Sequence, residues 1–160
     1  MQYSRYQLTQ IGFKGWDRWD NIANWDCPTS GGVYVVHYFC EGLPDFLPES
    51  SAGWFKGKNP SVPAETLTAN WVDEVSIIYI GKANNLRRRL QQYARFGAGK
   101  PVGHWGGRLI WQLPDAHNML VAWRETPDEV PRTVEKRMIG EFRKSYGKPP
   151  FANDPHRLGK

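Results

Sequence analysis

Tyr79-Ile80-Gly81 closes the strand-like run that begins at Val75 and leads directly into Lys82, a polar Asn84-Asn85 turn and the cluster Arg87-Arg88-Arg89. This short stretch holds an aromatic hydroxyl, a glycine that permits close approach, a lysine and three arginines. Together they are the equipment for gripping a phosphodiester. Arginine brings a planar, permanently charged fork that fits phosphate oxygens, and lysine adds a compact point charge. The chemistry indicated is phosphate chemistry.

The placement of charge points the same way. Between Val75 and Pro114 there is no Asp or Glu, whereas Lys82, Arg87, Arg88, Arg89, Arg95, Lys100 and Arg108 all fall there. The formal net charge is +5, so the rest of the chain is net negative. A segregated basic face attracts polyanions, foremost nucleic acid, through phosphate contacts and counterion release. Arg87, Arg88, Arg95, Lys100 and Arg108 are its candidate nucleic-acid contacts. An ordinary solvated helix interleaves acids with its cations, and this one does not.

These residues need elements to position them. Asn84 or Asn85 can cap a helix running to about Phe96 and stopping at Gly97. At 100° per residue Leu86, Leu90, Tyr93 and Ala94 form its apolar stripe, Arg87, Arg88, Gln91 and Arg95 point away, and Arg89 lies on the border. An arginine beside a core stripe is the best immobilised of the three, which marks Arg89 for chemistry. A second helix is expected from Pro131 to near Tyr146, punctuated by Gly147. Glu135 falls inside its apolar arc of Val134, Met138, Ile139, Phe142 and Tyr146. A carboxylate there must protonate, pair with a cation or bind a metal. A plain arginine pair joining two elements is the structural alternative.

Three runs read as strands: Val33–Cys40, residues 75–80 and Met119–Arg124. Residues 103–114 fit strand or helix equally. Residues 1–30 show no sustained period and read as an irregular extension packed by aromatics. Residues 41–74, rich in proline and holding six acids against Lys56 and Lys58, read as a long, locally negative loop. Residues 148–155 form a polar closing loop. A chain of 160 residues supports one domain, so 1–160 is read as a single unit. Cys27 and Cys40 form no CxxC pair and are expected to be reduced thiols. With no secretory or membrane-spanning run, a cytoplasmic location without membrane partners is expected.

Tyr34 in the first strand and Tyr79 in the second each read most simply as packing residues. Their joint occurrence with Lys82, Arg89, Tyr93, Glu135 and Asn153, in this order, changes that. Gly32-Val33-Tyr34 and Tyr79-Ile80-Gly81 resemble the two signatures of the GIY-YIG endonuclease superfamily. The run Tyr79 to Leu90 is most similar to the N-terminal incision domain of the bacterial nucleotide-excision-repair nuclease. The resemblance covers about residues 31–153 outside the 41–74 insertion. Val33 replaces the usual isoleucine, the insertion is longer than the family's link, and Tyr93 stands where many homing members carry histidine.

The resemblance implies an α+β fold with a small central three-stranded antiparallel sheet flanked by helices. It also implies a metal-dependent endonuclease acting on DNA, with RNA as the other polyanion, in a repair, restriction or mobile-element role. Arg89 takes the place of the family arginine, Glu135 of the single metal-binding carboxylate and Asn153 of the C-terminal asparagine. Mg²⁺ on Glu135, with Mn²⁺ as substitute, is the implied cofactor. Arg89 would bind the scissile phosphate with help from Lys82. Tyr34 is the first choice to activate water, with Tyr79 or Tyr93 nearby, and Asn153 would organise the Glu135 side. His104 is read as a loop residue or nucleic-acid contact outside the core site, and His37 as structural. Most tryptophans are read as core filling, with stacking on unpaired bases as the alternative. Competing readings are a non-catalytic nucleic-acid-binding module and a protein-interaction domain in which the acidic insertion shields the basic face. Nothing in the sequence sets an oligomeric state.

Overall fold

The computed structural model describes residues 3–153, which fold around one antiparallel sheet. Its strands are β1 (Lys14–Asp17), β2 (Gly32–His37), β3 (Ile77–Ala83) and β4 (Leu120–Glu125), in the spatial order β1-β4-β2-β3. The helices are α1 (Arg5–Gln10), α2 (Ala64–Asn70), α3 (Leu86–Gly97) and α4 (Pro131–Tyr146). Short 3-10 segments cover Trp19–Asn24, Trp105–Gln112 and Ala116–Asn118. The α+β class and the flanking helices are as expected.

The sheet has four strands where three are expected, because the N-terminal extension is not irregular. It contributes α1 and β1, and β1 pairs with β4 at the sheet edge. Neither element leaves a readable period. α1 buries only Leu8, and β1 is interrupted by a register shift between Gly15 and Asp17 with positive φ at Gly15 and Trp16. Likewise α2 lies inside the segment read as loop; it is seven residues long and buries only Leu67, too short for a helical stripe to show. Residues 105–112 form 3-10 turns rather than a strand or an α-helix.

Both faces of the sheet are covered, which explains why β2 is a continuous apolar run rather than an alternating one. Tyr34, Val36 and Ile78 join one core with Leu86, Leu90, Tyr93 and Phe96 of α3. Trp19, Trp25, Trp71, Trp111 and Trp123 fill the same core, in line with their expected role. Val33, Val35, Ile77 and Ile80 join a second core with Val134, Met138, Ile139 and Phe142 of α4. The sheet therefore separates α3 from α4. β3 is an edge strand, and the closing loop, described as far as Asn153, runs along that edge: Ala152 donates its N–H to Ile78 O at 2.8 Å. No helix among the described residues is long and apolar enough to cross a membrane.

Candidate active site

β2 and β3 pair so that Tyr34 lies opposite Gly81. A Cβ on Gly81 would sit 2.3 Å from Tyr34 Cζ, so only glycine lets the tyrosine ring lie across β3. The two motifs thus constrain one another. Tyr34 is buried, with Tyr79 beside it at a ring separation of 6.0 Å. Burial holds the Tyr34 hydroxyl well above its usual pKa, neighbouring Tyr79 adds to this, and Arg89 opposes it.

The Tyr34 hydroxyl is hydrogen-bonded to Nε2 of His104 at 2.5 Å. His104 is fully buried and stacks face to face on Tyr93, with ring centroids 3.5 Å apart and an interplanar angle of 6°. Burial first, and the charge of Arg89 second, lower its pKa well below the ordinary histidine value, so the ring is neutral. His104 is therefore buried behind the cavity wall and bonded to a motif tyrosine, rather than free on a loop to contact nucleic acid. Sequence alone offered only a histidine between Gly103 and Trp105; the stacking and the bond to Tyr34 arise from chain segments distant in sequence. Tyr93 moves the other way. Its hydroxyl donates to Gly107 O at 2.6 Å, and its ring backs His104 rather than lining the cavity.

Asn85 caps α3, its side chain accepting the Arg88 N–H, and Leu86, Leu90, Tyr93 and Phe96 are the buried stripe. Arg89 is half-buried at the stripe's border as expected. Its Nη1 donates to Gly103 O at 2.9 Å and approaches Gln92 Oε1 at 3.4 Å, which fixes the guanidinium. Of the residues expected to contact nucleic acid, Arg88 lines the same cavity, while Arg95 and Lys100 are exposed further along. Arg87 is turned aside, its Nε donating to Cys27 O at 2.7 Å. Arg108 lies over the Trp105 ring at 4.8 Å and bonds to Trp105 O.

Glu135 reaches the cavity from α4. It is half-buried, and burial raises its pKa against the opposing charges of Lys82 and Arg132. Arg132 lies on the same helix, so it cannot be the arginine that ties two elements together. Asn153 bonds to β3 through both ends of its amide: Oδ1 accepts the Ile80 N–H at 3.0 Å and Nδ2 donates to Ile80 O at 2.9 Å. It stands in for the missing neighbour of the edge strand and holds Tyr79-Ile80-Gly81 in place, rather than bonding to Glu135.

Tyr34, Tyr79, Lys82, Arg89, Glu135 and Asn153 line one cavity of about 600 Å³. The family model described as GIY-YIG domain-containing protein matches residues 24–106, just over half of the chain. The chain belongs to the GIY-YIG family. Both motif tyrosines, Arg89, Tyr93 and His104 fall within the matched stretch; Glu135 and Asn153 lie beyond it. No curated protein and no solved structure matches the chain. GIY-YIG domains form a nuclease superfamily that acts on DNA and generally depends on a divalent metal. The donor set here fits such an ion. Among the described residues Glu135 is the carboxylate lining the cavity, and no group of three or more His, Cys, Asp or Glu gathers there, so an ion would take one hard oxygen from Glu135 and most other ligands from water, as hard divalent cations do.

Proposed function

We propose that this chain is a single-domain, metal-dependent endonuclease that hydrolyses phosphodiester bonds in DNA. The observation that carries the reading is the cavity itself, where a fixed arginine, two tyrosines, a lysine and a half-buried carboxylate converge from α3, β2, β3 and α4. Arg89 is anchored through one nitrogen to Gly103 O, leaving further donors for the non-bridging oxygens of the scissile phosphate. Its permanent charge offsets the charge that grows there in the transition state. Lys82, exposed at the rim, adds a second positive charge.

Tyr34 orients the attacking water. A phenol held above its usual pKa does not ionise alone, so the proton needs somewhere to go. With Nδ1 of His104 protonated, Nε2 accepts the Tyr34 proton while Tyr34 Oη takes one from water, and the hydroxide oxygen bonds to phosphorus as the bond to the 3′ oxygen breaks. Burial disfavours the imidazolium, and the Tyr34 hydroxyl is its hydrogen-bond partner, so reversal of the two transfers returns the proton through Tyr34 to the cavity once the bond to the 3′ oxygen has broken. Glu135 would hold the divalent cation, which would supply charge neutralisation to the reacting phosphodiester.

The test is incubation with supercoiled, single-stranded and branched DNA, with and without Mg²⁺, followed by end mapping. Mg²⁺-dependent cutting by the native protein, lost in Glu135→Ala with folding intact, is the expected result. Equal cutting by that variant, or by the native protein in excess chelator, would refute the mechanism. The mapped ends distinguish nicking, sequence-specific restriction and structure-specific repair.

A further inference from the structure

The insertion between β2 and β3 is not uniformly acidic. Glu41, Asp45, Glu49 and Glu65 lie in its two limbs, whereas residues 50–64 carry Lys56 and Lys58 and no acid. The limbs are fixed to the 3-10 segment that follows His104. The buried side chain of Gln112 accepts from Val62 N and donates to Leu47 O and Val62 O, and Ser51 N donates to Trp111 O. Gly53 N donates to Phe96 O at 2.9 Å, and a Cβ on Gly53 would meet Lys100 O at 2.2 Å, so the base of the tip is pressed onto the end of α3.

Beyond Gly53 the chain makes a tight hairpin. Phe55 and Lys58 exchange both backbone hydrogen bonds, at 3.2 and 3.0 Å, with φ of 53° at Lys56 and 75° at Gly57, as a two-residue type I′ turn requires. Phe55 packs inward against Gly103, the residue whose carbonyl holds Arg89. Trp54, the residue before the turn, is left 59% exposed; Lys56 and Lys58 are exposed on the turn itself, with the Lys56 ammonium 5.3 Å from the Phe55 ring centroid. The backbone of Lys100 lies against Gly53, the residue before Trp54, and Lys100 N donates to Arg95 O, so two further exposed cations occupy the end of α3 to which the hairpin is fixed. From Arg89 to the docking point at Phe96 is roughly 10 Å along α3 at ~1.5 Å per residue, about three base steps of ~3.4 Å.

We propose that this hairpin binds an unpaired nucleotide close to the cleavage point. Trp54 stacks on the base, Lys56 and Lys58 contact the flanking phosphates, and the nuclease thereby selects flaps, bubbles or single strands over paired duplex. The proposal rests on the nuclease reading. An exposed indole at the base of a braced turn that carries two lysines, within a few nucleotides of the phosphate grip, has the chemistry of a base-stacking platform. Every base has a π-face, so the platform is sequence-tolerant.

The experiment uses the full chain in chelator, to block cutting, with flap and fully paired DNA carrying 2-aminopurine at successive positions. A 2-aminopurine in the flap near the junction is expected to be quenched by the native protein and not by Trp54→Ala. Trp54→Ala should lower the ratio of flap to duplex affinity by roughly 5- to 150-fold, the loss of one base–aromatic stack, with Trp54→Phe recovering most of it. The pair Lys56→Ala and Lys58→Ala should lower the slope of log affinity against log salt by about 1.4, at ~0.7 per single-strand phosphate. An unchanged ratio, equal losses on flap and duplex, or a change in sedimentation without a change in DNA binding would each overturn the proposal, the last by making the tip a protein contact. A native protein that cuts DNA while Trp54→Ala behaves identically removes the hairpin's role alone. A native protein that neither binds nor cuts DNA removes the nuclease reading with it.

Discussion

The Tyr34 hydroxyl lies 2.5 Å from Nε2 of His104, a bond between β2 and the loop after α3 with both partners buried. Neither residue is placed to act alone, because burial disfavours both the phenolate and the imidazolium. Together they can pass a proton with Tyr34 neutral throughout and the imidazolium formed only transiently. His104→Ala and Tyr34→Phe should each lower kcat by about 10²- to 10⁴-fold, the usual worth of a positioned acid–base group. The double variant should lose little more than either single one, since the pair acts as a unit. Single-turnover cleavage of all three variants checks this; multiplicative losses would separate the two roles.

His104 also gives the fold a pH dependence with a definite sign. Its folded pKa lies below the unfolded value of about 6.5, so in acid the unfolded chain takes up a proton that the folded chain does not. The stability contributed by neutral, buried His104 is complete above that pH and is lost as pH falls below it. His37, also lowered by burial and by Arg5, acts with the same sign. The comparison must therefore be with His104→Gln, which removes one contribution and leaves the other. In urea denaturation the native protein's advantage over the variant should shrink from pH 7 to pH 5.

Glu135 is a carboxylate whose charged form is disfavoured by burial, and the proposed function gives it the metal. Glu135→Gln removes the charge while preserving shape. In the absence of metal it should stabilise the protein by on the order of 1 kcal/mol, a rise in Tm of about 2–4 °C, and abolish cutting. Added Mg²⁺ should raise the Tm of the native protein and not of the variant. Thermal melts with and without the ion read both effects.

How much of this was legible in the sequence follows from where the signals lie. The helix carrying Arg89 announced itself through a cap, a stripe and a terminal glycine, all local features, and α4 did the same through Pro131 and Gly147. The strand β1 did not, because a bulge and a positive φ at Trp16 erase its alternation, so its pairing with β4 is a purely tertiary fact. Glu135 was visible as a misplaced charge on an apolar arc. His104 was not, because a lone histidine carries no periodicity and its partners Tyr34 and Tyr93 sit in other elements. In the insertion an average charge hides the arrangement: the acids lie in the limbs and the two lysines on the turn that follows Trp54.

Asn153 predicts a different kind of loss from Glu135. Its amide satisfies both the N–H and the C=O of Ile80 on the open edge of β3, within the second motif. Asn153→Ala leaves both groups without that partner and should cost about 1–3 kcal/mol per buried unsatisfied group. Asn153→Asp should be worse, since a carboxylate oxygen would face Ile80 O. Activity should fall with the folded fraction and partly return at low temperature. Glu135→Ala, in contrast, should remain folded and inactive. Parallel urea melts and cleavage rates separate the two; an Asn153→Ala protein of native stability would mean the amide bonds seen here do not hold the edge.

The contact between Gly81 and Tyr34 sets the last expectation. Gly81→Ala places a methyl 2.3 Å from Tyr34 Cζ and 2.5 Å from its hydroxyl oxygen, so the ring must move or β3 must shift. Overpacking of this kind destabilises by about 1–3 kcal/mol. Displacing Tyr34 also breaks its bond to His104, so cleavage should fall by more than stability alone explains. Tyr34→Ala opens space for the methyl. The double variant Gly81→Ala/Tyr34→Ala should therefore be more stable than the sum of the single losses while remaining inactive. A double-mutant cycle on unfolding free energy, with cleavage measured alongside, tests whether that glycine is there for the tyrosine; a strictly additive cycle would show that it is not.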